Sequence, residues 1–357
     1  MFMNVGLGGL DTPDKIAEYI RLGAEEFFAG FIPREWLEKY GWEVCPNRRP
    51  MGAPYNYSQE SVLREVVQTV HEHGGRINLA INAHDNGSER LTMLHDQFNL
   101  FETMAPDGYI IADPALLFSM KAWGIKRPIH LSTGVGCFNS ESVRFFCDHF
   151  SIRRLIIPRK LTIREMGLMM DGLRDLDLEY EVMIIGYRCF FNDEDCHSVH
   201  SAARRNLCGD IVTAPFKVTN HLPRNWKEIA ERMRDKRTAE LYEDSPLNRF
   251  RQEWLLPPPP PPPDFSIPCS TEGLDGELAR IVFQTCGLCA IKAMRDIGIQ
   301  VLKVPLRGDE GIKSRIITIV NTIMQHPNPT REMCMELINS PEFCRVKHNC
   351  YYDVPEA

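Results

Sequence analysis

Eight short apolar runs of strand type punctuate this chain, each followed by a helical pattern or a long polar interval. That repeat constrains the fold more than any other feature. The runs are Met3–Gly6, Glu26–Ala29, Ile77–Ile81, Gly108–Ala112, Ile129–Ser132, Leu155–Pro158, Val182–Ile185 and Gln300–Val304. Strands separated by helices pair in parallel, because a parallel connection needs a crossover of a dozen residues or more. Eight such units close most simply into a (β/α)8 TIM-like barrel. The helical intervals bear start and stop signals. Asp11 or Thr12 caps a helix with Pro13 in its first turn, Ile16, Tyr19, Ile20 and Leu22 mark its buried stripe, and Gly23 ends it. Ser58 caps another that stops at Gly74-Gly75, whereas the polar interval 32–57 reads as a long loop.

The interval after the seventh run breaks the rhythm, so the barrel is expected from 1–186 and 276–329, with an excursion at 187–275 and a tail at 330–357. The excursion holds a charged helical stretch, Trp226–Leu241, and the seven prolines Pro257–Pro263, a polyproline II spacer. In such a barrel the loops after the strands share one face, and chemistry sits there. Asn82, Asp113, Ser132, Arg159, Cys189 and Arg307 would then face one mouth. Of these, Asn82, Asp113, Ser132 and Arg159 are the candidate substrate contacts.

The first residues lack a basic region followed by a long apolar core, and no run is long enough to span a bilayer, so a cytoplasmic protein is expected. A net charge of −7 argues against a general nucleic-acid binder but leaves room for a local patch such as Arg204-Arg205. The 12 cysteines are then not disulfide staples, because the cytosol keeps thiols reduced. Cys137, Cys147 and Cys334 lack partners at useful spacing and read as core thiols. Cys189, Cys196 and Cys208 follow one another closely, and Cys286-x2-Cys289 lies downstream. Thiolates are soft ligands, and four converging on one point hold either an iron–sulfur cluster or zinc. His197 and His200 keep zinc in view, although the spacings are not those of a common zinc ribbon.

Glu181-x4-Gly186-x2-Cys189-x6-Cys196 resembles the signature of the U-thirty-two peptidases, the collagenase-like peptidase family. The likeness continues in order through Leu22–Gly30, His71–Asn82, His130–Thr133 with Asn139-Ser140, Pro158–Leu161 and Gly298–Arg307. It departs from the family pattern at Met183, Tyr187 and Glu194 within the signature, and at Gly134 and Lys160 elsewhere.

Members of that family include iron–sulfur proteins of oxygen-independent hydroxylation, acting on ubiquinone precursors or RNA bases. The resemblance therefore implies a 4Fe–4S cluster on Cys189, Cys196 and Cys208, with Cys286 or Cys289 as fourth ligand. The ending Cys344-x5-Cys350-Tyr351-Tyr352 also resembles that of some relatives. With Cys269 and the spare thiol of the Cys286/Cys289 pair, it could hold a second metal. The implied function is a redox or hydroxylation step on a small-molecule or RNA-borne ring, fed by an electron donor the sequence does not name. Two alternatives stand beside it: a collagenase-like peptidase, and a non-catalytic iron–sulfur subunit that docks a protein partner or homologous subunit. Against the peptidase, His71-Glu72-His73 is not His-Glu-x-x-His, no Gly-x-Ser-x-Gly elbow occurs, and cluster-bound thiolates are not free nucleophiles.

Overall fold

β1 (Phe2–Leu7) runs parallel to β2 (Glu26–Ala29) on one side and to β8 (Val301–Val304) on the other, so the sheet has no edge. Between them β3 (Arg76–Ile81), β4 (Gly108–Ile111), β5 (Ile129–Leu131), β6 (Ile152–Ile156) and β7 (Glu179–Met183) follow in sequence order, every pair parallel. The expected (β/α)8 barrel is the fold. The structure is a computed structural model describing residues 1–40, 45–48, 55–84, 86–186, 193–194, 286–308, 310–339, 344 and 350–352. All of these belong to one compact unit, Met1–His197 with Leu274–Ala357. Trp226–Leu241, Pro257–Pro263, Arg204-Arg205, His197 and His200 lie outside the described residues.

The helices obey the local signals unevenly. α1 (Pro13–Arg21) has Pro13 at its first position, as the sequence requires, but its N-cap Thr12 makes no side-chain cap bond. Asp11 does other work. Its carboxylate accepts hydrogen bonds from Gly8 N at 2.7 Å and Tyr19 Oη at 2.8 Å, and it pairs with the fully buried Lys313. The interval 32–57 is not all loop, since α2 (Arg34–Tyr40) lies within it and buries Trp36. α3 (Glu60–Glu72) starts after Gln59 rather than on Ser58. α4 (Ser88–Met104), α5 (Pro114–Ala122), α6 (Ser140–His149) and α7 (Ile163–Asp171) cover the outside of the barrel. α7 begins with a full capping box between Thr162 and Glu165. Past the excursion come α8 (Ile291–Asp296), α9 (Glu310–Gln325) and α10 (Arg331–Ile338). None of the described helices is long and apolar enough to cross a membrane.

Side chains two apart on a strand share a face, which sorts the barrel interior into layers. The layer nearest the strand starts is charged. Arg154 pairs with Glu26, Glu179 and Glu181, Lys303 pairs with Glu181, and all but Glu179 are almost fully buried. Asn78 donates to Glu26 at 2.9 Å, and Asn4 donates to Glu181 at 3.2 Å. Burial alone would raise the Glu181 carboxyl, but Lys303 and Arg154 outweigh it and hold the group near about 2. Burial, helped by Arg154, keeps His130 well below its usual value and therefore neutral at neutral pH. One step along the strands, Phe28, Ala80, Ile110 and Ile156 form an apolar plug. One further step reaches the mouth, where Gly30, Asn82, Ala112 and Ser132 follow on the same faces.

Candidate functional site at the barrel mouth

The mouth is organised by Asp193, which stands four residues after Cys189 and three before Cys196. Arg159, just beyond β6, grips it with both prongs: Nε donates to Oδ2 at 2.9 Å, and Nη2 contacts Oδ1. Arg48, from the segment after β2, donates through Nη1 to the Asp193 carbonyl at 3.2 Å and lies 3.8 Å from its carboxylate. Burial would raise the Asp193 carboxyl, but Arg159, Arg48 and the Thr133 hydroxyl together hold it below its usual value. A forked guanidinium matched to a carboxylate is the most directional ion pair proteins make. Arg48 reaches this position with φ at 59°, in the left-handed region that non-glycine residues seldom adopt.

The other predicted contacts divide. Asn82 Nδ2 donates to Ser132 Oγ at 3.3 Å, joining the ends of β3 and β5, while Asn82 Oδ1 is buried with no partner. Ser132 also accepts from Gly134 N at 3.3 Å, capping the short 3-10 turn Thr133–Val135. Asp113 is engaged by the loop itself. Its carboxylate accepts from Ala115 N at 2.8 Å as the N-cap of α5, and from Asn86 Nδ2 at 2.9 Å. Arg307 leaves β8 beneath Asn47, to whose carbonyl it donates at 3.5 Å, and its guanidinium stands 5.8 Å from the Phe28 ring. Arg48 Nη2 is buried with no hydrogen-bond partner among the described residues, so the mouth holds an unmet donor as well as the unmet acceptor of Asn82. Buried polar groups are rarely left so, and each calls for an explanation such as strain, a catalytic role, or a bound water or ion.

Sequence reasoning overlooked Arg48 and Asp193. Arg48 lay in an interval with no periodicity. The carboxylate between two cysteines was a signal in plain sight, because a charge that close to a metal-type motif must be paired.

Cys189, Cys196, Cys208 and Cys269 lie outside the described residues. Of the remaining ligand candidates, Cys286 and Cys350 are paired through the backbone. Cys286 bridges Ile185 at the end of β7 on one side and Cys350 on the other, and Tyr351 N donates to the Cys286 carbonyl at 2.8 Å. Burial pushes the Cys286 thiol up, and the neighbouring thiols Cys289, Cys344 and Cys350 push the same way. Burial also raises Cys344, to about 11, again with Cys289 and Cys350 beside it. Cys289 goes the other way, held down by the thiol hydrogen of Cys334. Cys137 is buried apart from these, its thiol pushed up by burial to about 12.

The triplet His71-Glu72-His73 sits at the opposite end. His71 Nε2 is 3.0 Å from Asp107, whose carboxylate also takes the amide of Ile77 near the start of β3. Barrel enzymes do their chemistry at the other face.

The chain is similar to two proteins named tRNA hydroxylation protein P. That of Escherichia coli (strain K12) is 24% identical over 130 residues, 36% of this chain and 28% of that one. That of Helicobacter pylori (strain J99 / ATCC 700824) is 25% identical over 128 residues, 36% of this chain and 29% of the other. The chain thus spans under a third of the length of these curated relatives. Among solved structures it is similar to the U32 peptidase Mk0906, with a TM-score of 0.40, 11% identity and coverage of 58% of this chain and 85% of that one. The model of peptidase family U32 matches residues 41–326, which take in Arg48, Asn82, Asp113, Ser132, Arg159, Asp193 and the Cys286-x2-Cys289 pair. With most of the chain, including β3 to β8 and these residues of the mouth, inside that match, the protein belongs to peptidase family U32.

Proposed function

We propose that this chain is an iron–sulfur protein acting in an oxygen-independent hydroxylation, or a related redox step, on an RNA-borne or small-molecule ring. The observation that carries the proposal is the anchoring of Asp193. Arg159, Arg48 and Thr133 hold a residue from the middle of Cys189-x6-Cys196 at the barrel mouth. Cys196 is three residues and Cys189 four residues from Asp193, no further than about 11 and about 14 Å of chain, which supports a cysteine motif near the face where substrates of this fold bind. The thiol-rich motif suits iron, since clusters are held by cysteine thiolates. Two relatives named for tRNA hydroxylation point to the same chemistry.

Replacing a ring C–H by C–OH, with oxygen taken at the oxidation level of water, releases two protons and two electrons. The reaction therefore needs an acceptor, for which a one-electron carrier protein suffices, and a bound cluster would supply electron transfer to it. The chain's own residues do the positioning. Arg159 and Arg48 fix Asp193, and the unmet groups of Arg48 and Asn82 are each available to a polar substrate. Arg307 and Arg48 also give the mouth the positive character that a phosphate-bearing substrate requires.

The test is anaerobic purification of the full chain, followed by assay of iron, acid-labile sulfide and absorbance. Nucleosides from tRNA incubated with the protein, a one-electron acceptor and an oxygen donor are then weighed by mass spectrometry. Iron with sulfide, lost on Cys189→Ala, and a nucleoside heavier by one oxygen atom are the expected results. A protein that takes up no iron under these conditions overturns the proposal.

A further inference from the structure

We propose that the chain pairs with a second copy of itself through an aromatic strip on the outside of the barrel, α5 of each copy lying against α6 of the other. The pairing is independent of the chemistry at the mouth.

Among the described helices α5 is the least suited to water. Its nine residues carry one charge, Lys121. Leu116, Leu117 and Met120 are buried, yet the opposite side is apolar too, with Pro114, Ala115, Phe118 and Ala122 exposed. A surface helix normally turns a polar face outward, and one that is apolar all round is buried against something. The next helix continues the surface. Phe118 meets Phe150, just past α6, edge-on with ring centroids 4.9 Å apart, and the Phe145 and His149 centroids are 4.6 Å apart. Phe118 is 53% exposed and Phe145 52%, and Leu168 on α7 is 60% exposed. Three of the five exposed large hydrophobic side chains among the described residues therefore sit on three successive helices. Single exposed apolar residues are ordinary, whereas gathered ones mark interaction sites.

Charge selects the occupant. Lys121 stands on the α5 side of the strip, donating to the His149 carbonyl at 3.0 Å, with its ammonium 6.0 Å from the Phe150 ring centroid. The α6 side carries two exposed carboxylates, Glu141 four residues before Phe145 and Asp148 three after it. Arg144, the cation between them, is committed to Asp175 at 2.6 Å. α5 thus presents an apolar face with a positive end, and α6 an aromatic face with acidic flanks. The two complement each other, and a two-fold axis parallel to the helices sets each against the other. Lys121 and Asp148 then meet at one level, because both lie in the last turn of their helices. Such a self-complementary contact is the commonest way in which identical chains associate. Nucleic acid and anionic lipid fit less well, since their phosphates would meet Glu141 and Asp148.

Sedimentation velocity of the full chain over a range of concentrations, under reducing conditions, reads the association, and tRNA binding is measured beside it. Wild type should be a dimer that dissociates on dilution. F118E/F145E should raise the dissociation constant by about thirtyfold or more, as loss of aromatic anchors does. K121E and D148K each set like charges across the contact, so each alone should associate more weakly than wild type. An equimolar mixture of the two should regain association, because every cross-copy pair is then of opposite sign. A wild-type chain that stays monomeric throughout overturns the proposal, and so does wild-type association of F118E/F145E. A mixture no tighter than its parts overturns the α5–α6 pairing. A monomeric wild type whose tRNA affinity falls in F118E/F145E assigns the strip to RNA instead. If F118E/F145E fails to fold, the two charge variants at exposed positions and their mixture decide alone.

Discussion

Arg159 and Asp193 meet at the barrel mouth in a two-pronged ion pair, with Arg159 Nε 2.9 Å from Asp193 Oδ2 and both side chains about nine-tenths buried. The pair ties the loop after β6 to the segment that follows β7. Arg48 adds a third strand's loop to the same point. One carboxylate therefore fixes the relative position of three mouth segments.

Asp193→Asn should weaken both the fold and metal retention. Removing one member of a buried pair leaves the other uncompensated, at a cost of about 3–5 kcal/mol. Denaturant unfolding should show that loss, and iron content after anaerobic reconstitution should fall with it. The pH sign follows from the lowered carboxyl pKa of Asp193. Its stabilisation is present above the unfolded carboxylate value and is lost as pH falls through the lower folded value. An Asp193→Asn protein with wild-type stability and iron content would show that the mouth does not depend on this anchor.

Glu181 gives the barrel interior a sharper acid signature. Its carboxyl is held near about 2 from an ordinary 4.5. The difference is worth about 3 kcal/mol, fully present above the unfolded value and lost progressively as pH falls from 4.5 towards 2. Glu26 opposes this, because burial raises its carboxyl. The comparison must therefore be wild type against Glu181→Gln, whose stability should be lower at neutral pH and flatter across the acid range. Equal slopes for the two proteins would show that Glu181 is not the titrating group.

The same charged layer explains what was legible in the sequence. Eight strand–helix units and their order could be read directly, because most strands are apolar runs bounded by glycine or polar residues. β6 and β7 begin earlier than their apolar runs, at Ile152 and Glu179, because Arg153, Arg154, Glu179 and Glu181 lie within the strands. A search for apolar character passes over a strand whose inward residues are charged and paired inside the barrel. Asn82 and Ser132 could be placed at the mouth by strand phase alone. Arg48 could not, since its position depends on a pairing 145 residues away in sequence. The meeting of Cys286 with Cys350 is likewise a tertiary fact that spacing does not reveal.

Gly30 marks how tightly the mouth is packed beneath Arg307. A Cβ added there would run into Asn56, Arg307 and Asn47 side-chain atoms at once. Asn47 donates to Asn56 at 2.7 Å, so the three cannot part without breaking that bond. Gly30→Ala should destabilise the protein by about 1–3 kcal/mol, as overpacking does, and should weaken binding of any substrate that Arg307 faces. Thermal unfolding and RNA binding at several salt concentrations measure the two effects. An alanine variant as stable as wild type would mean that Arg307 has room to swing aside.

Tyr352 tests how the tail is fastened, independently of any metal. Its hydroxyl donates to the Met183 carbonyl at 2.7 Å, and its ring lies against Gly287 and is tilted against the Tyr351 ring with centroids 4.9 Å apart. Tyr352→Phe keeps the ring contacts and removes the hydrogen bond to Met183, a loss of about 1 kcal/mol. That is too small to unfold the barrel but large enough to shift a local opening of the tail about fivefold. In metal-free protein the alkylation rate of Cys350 should therefore rise about fivefold, while that of the core thiol Cys137 stays unchanged. Tyr352→Ala removes the ring as well and should expose Cys350 much further. If Cys350 reacts at the wild-type rate in both variants, the tail is not held at β7 by Tyr352, and Cys350 does not depend on that contact to stay beside Cys286.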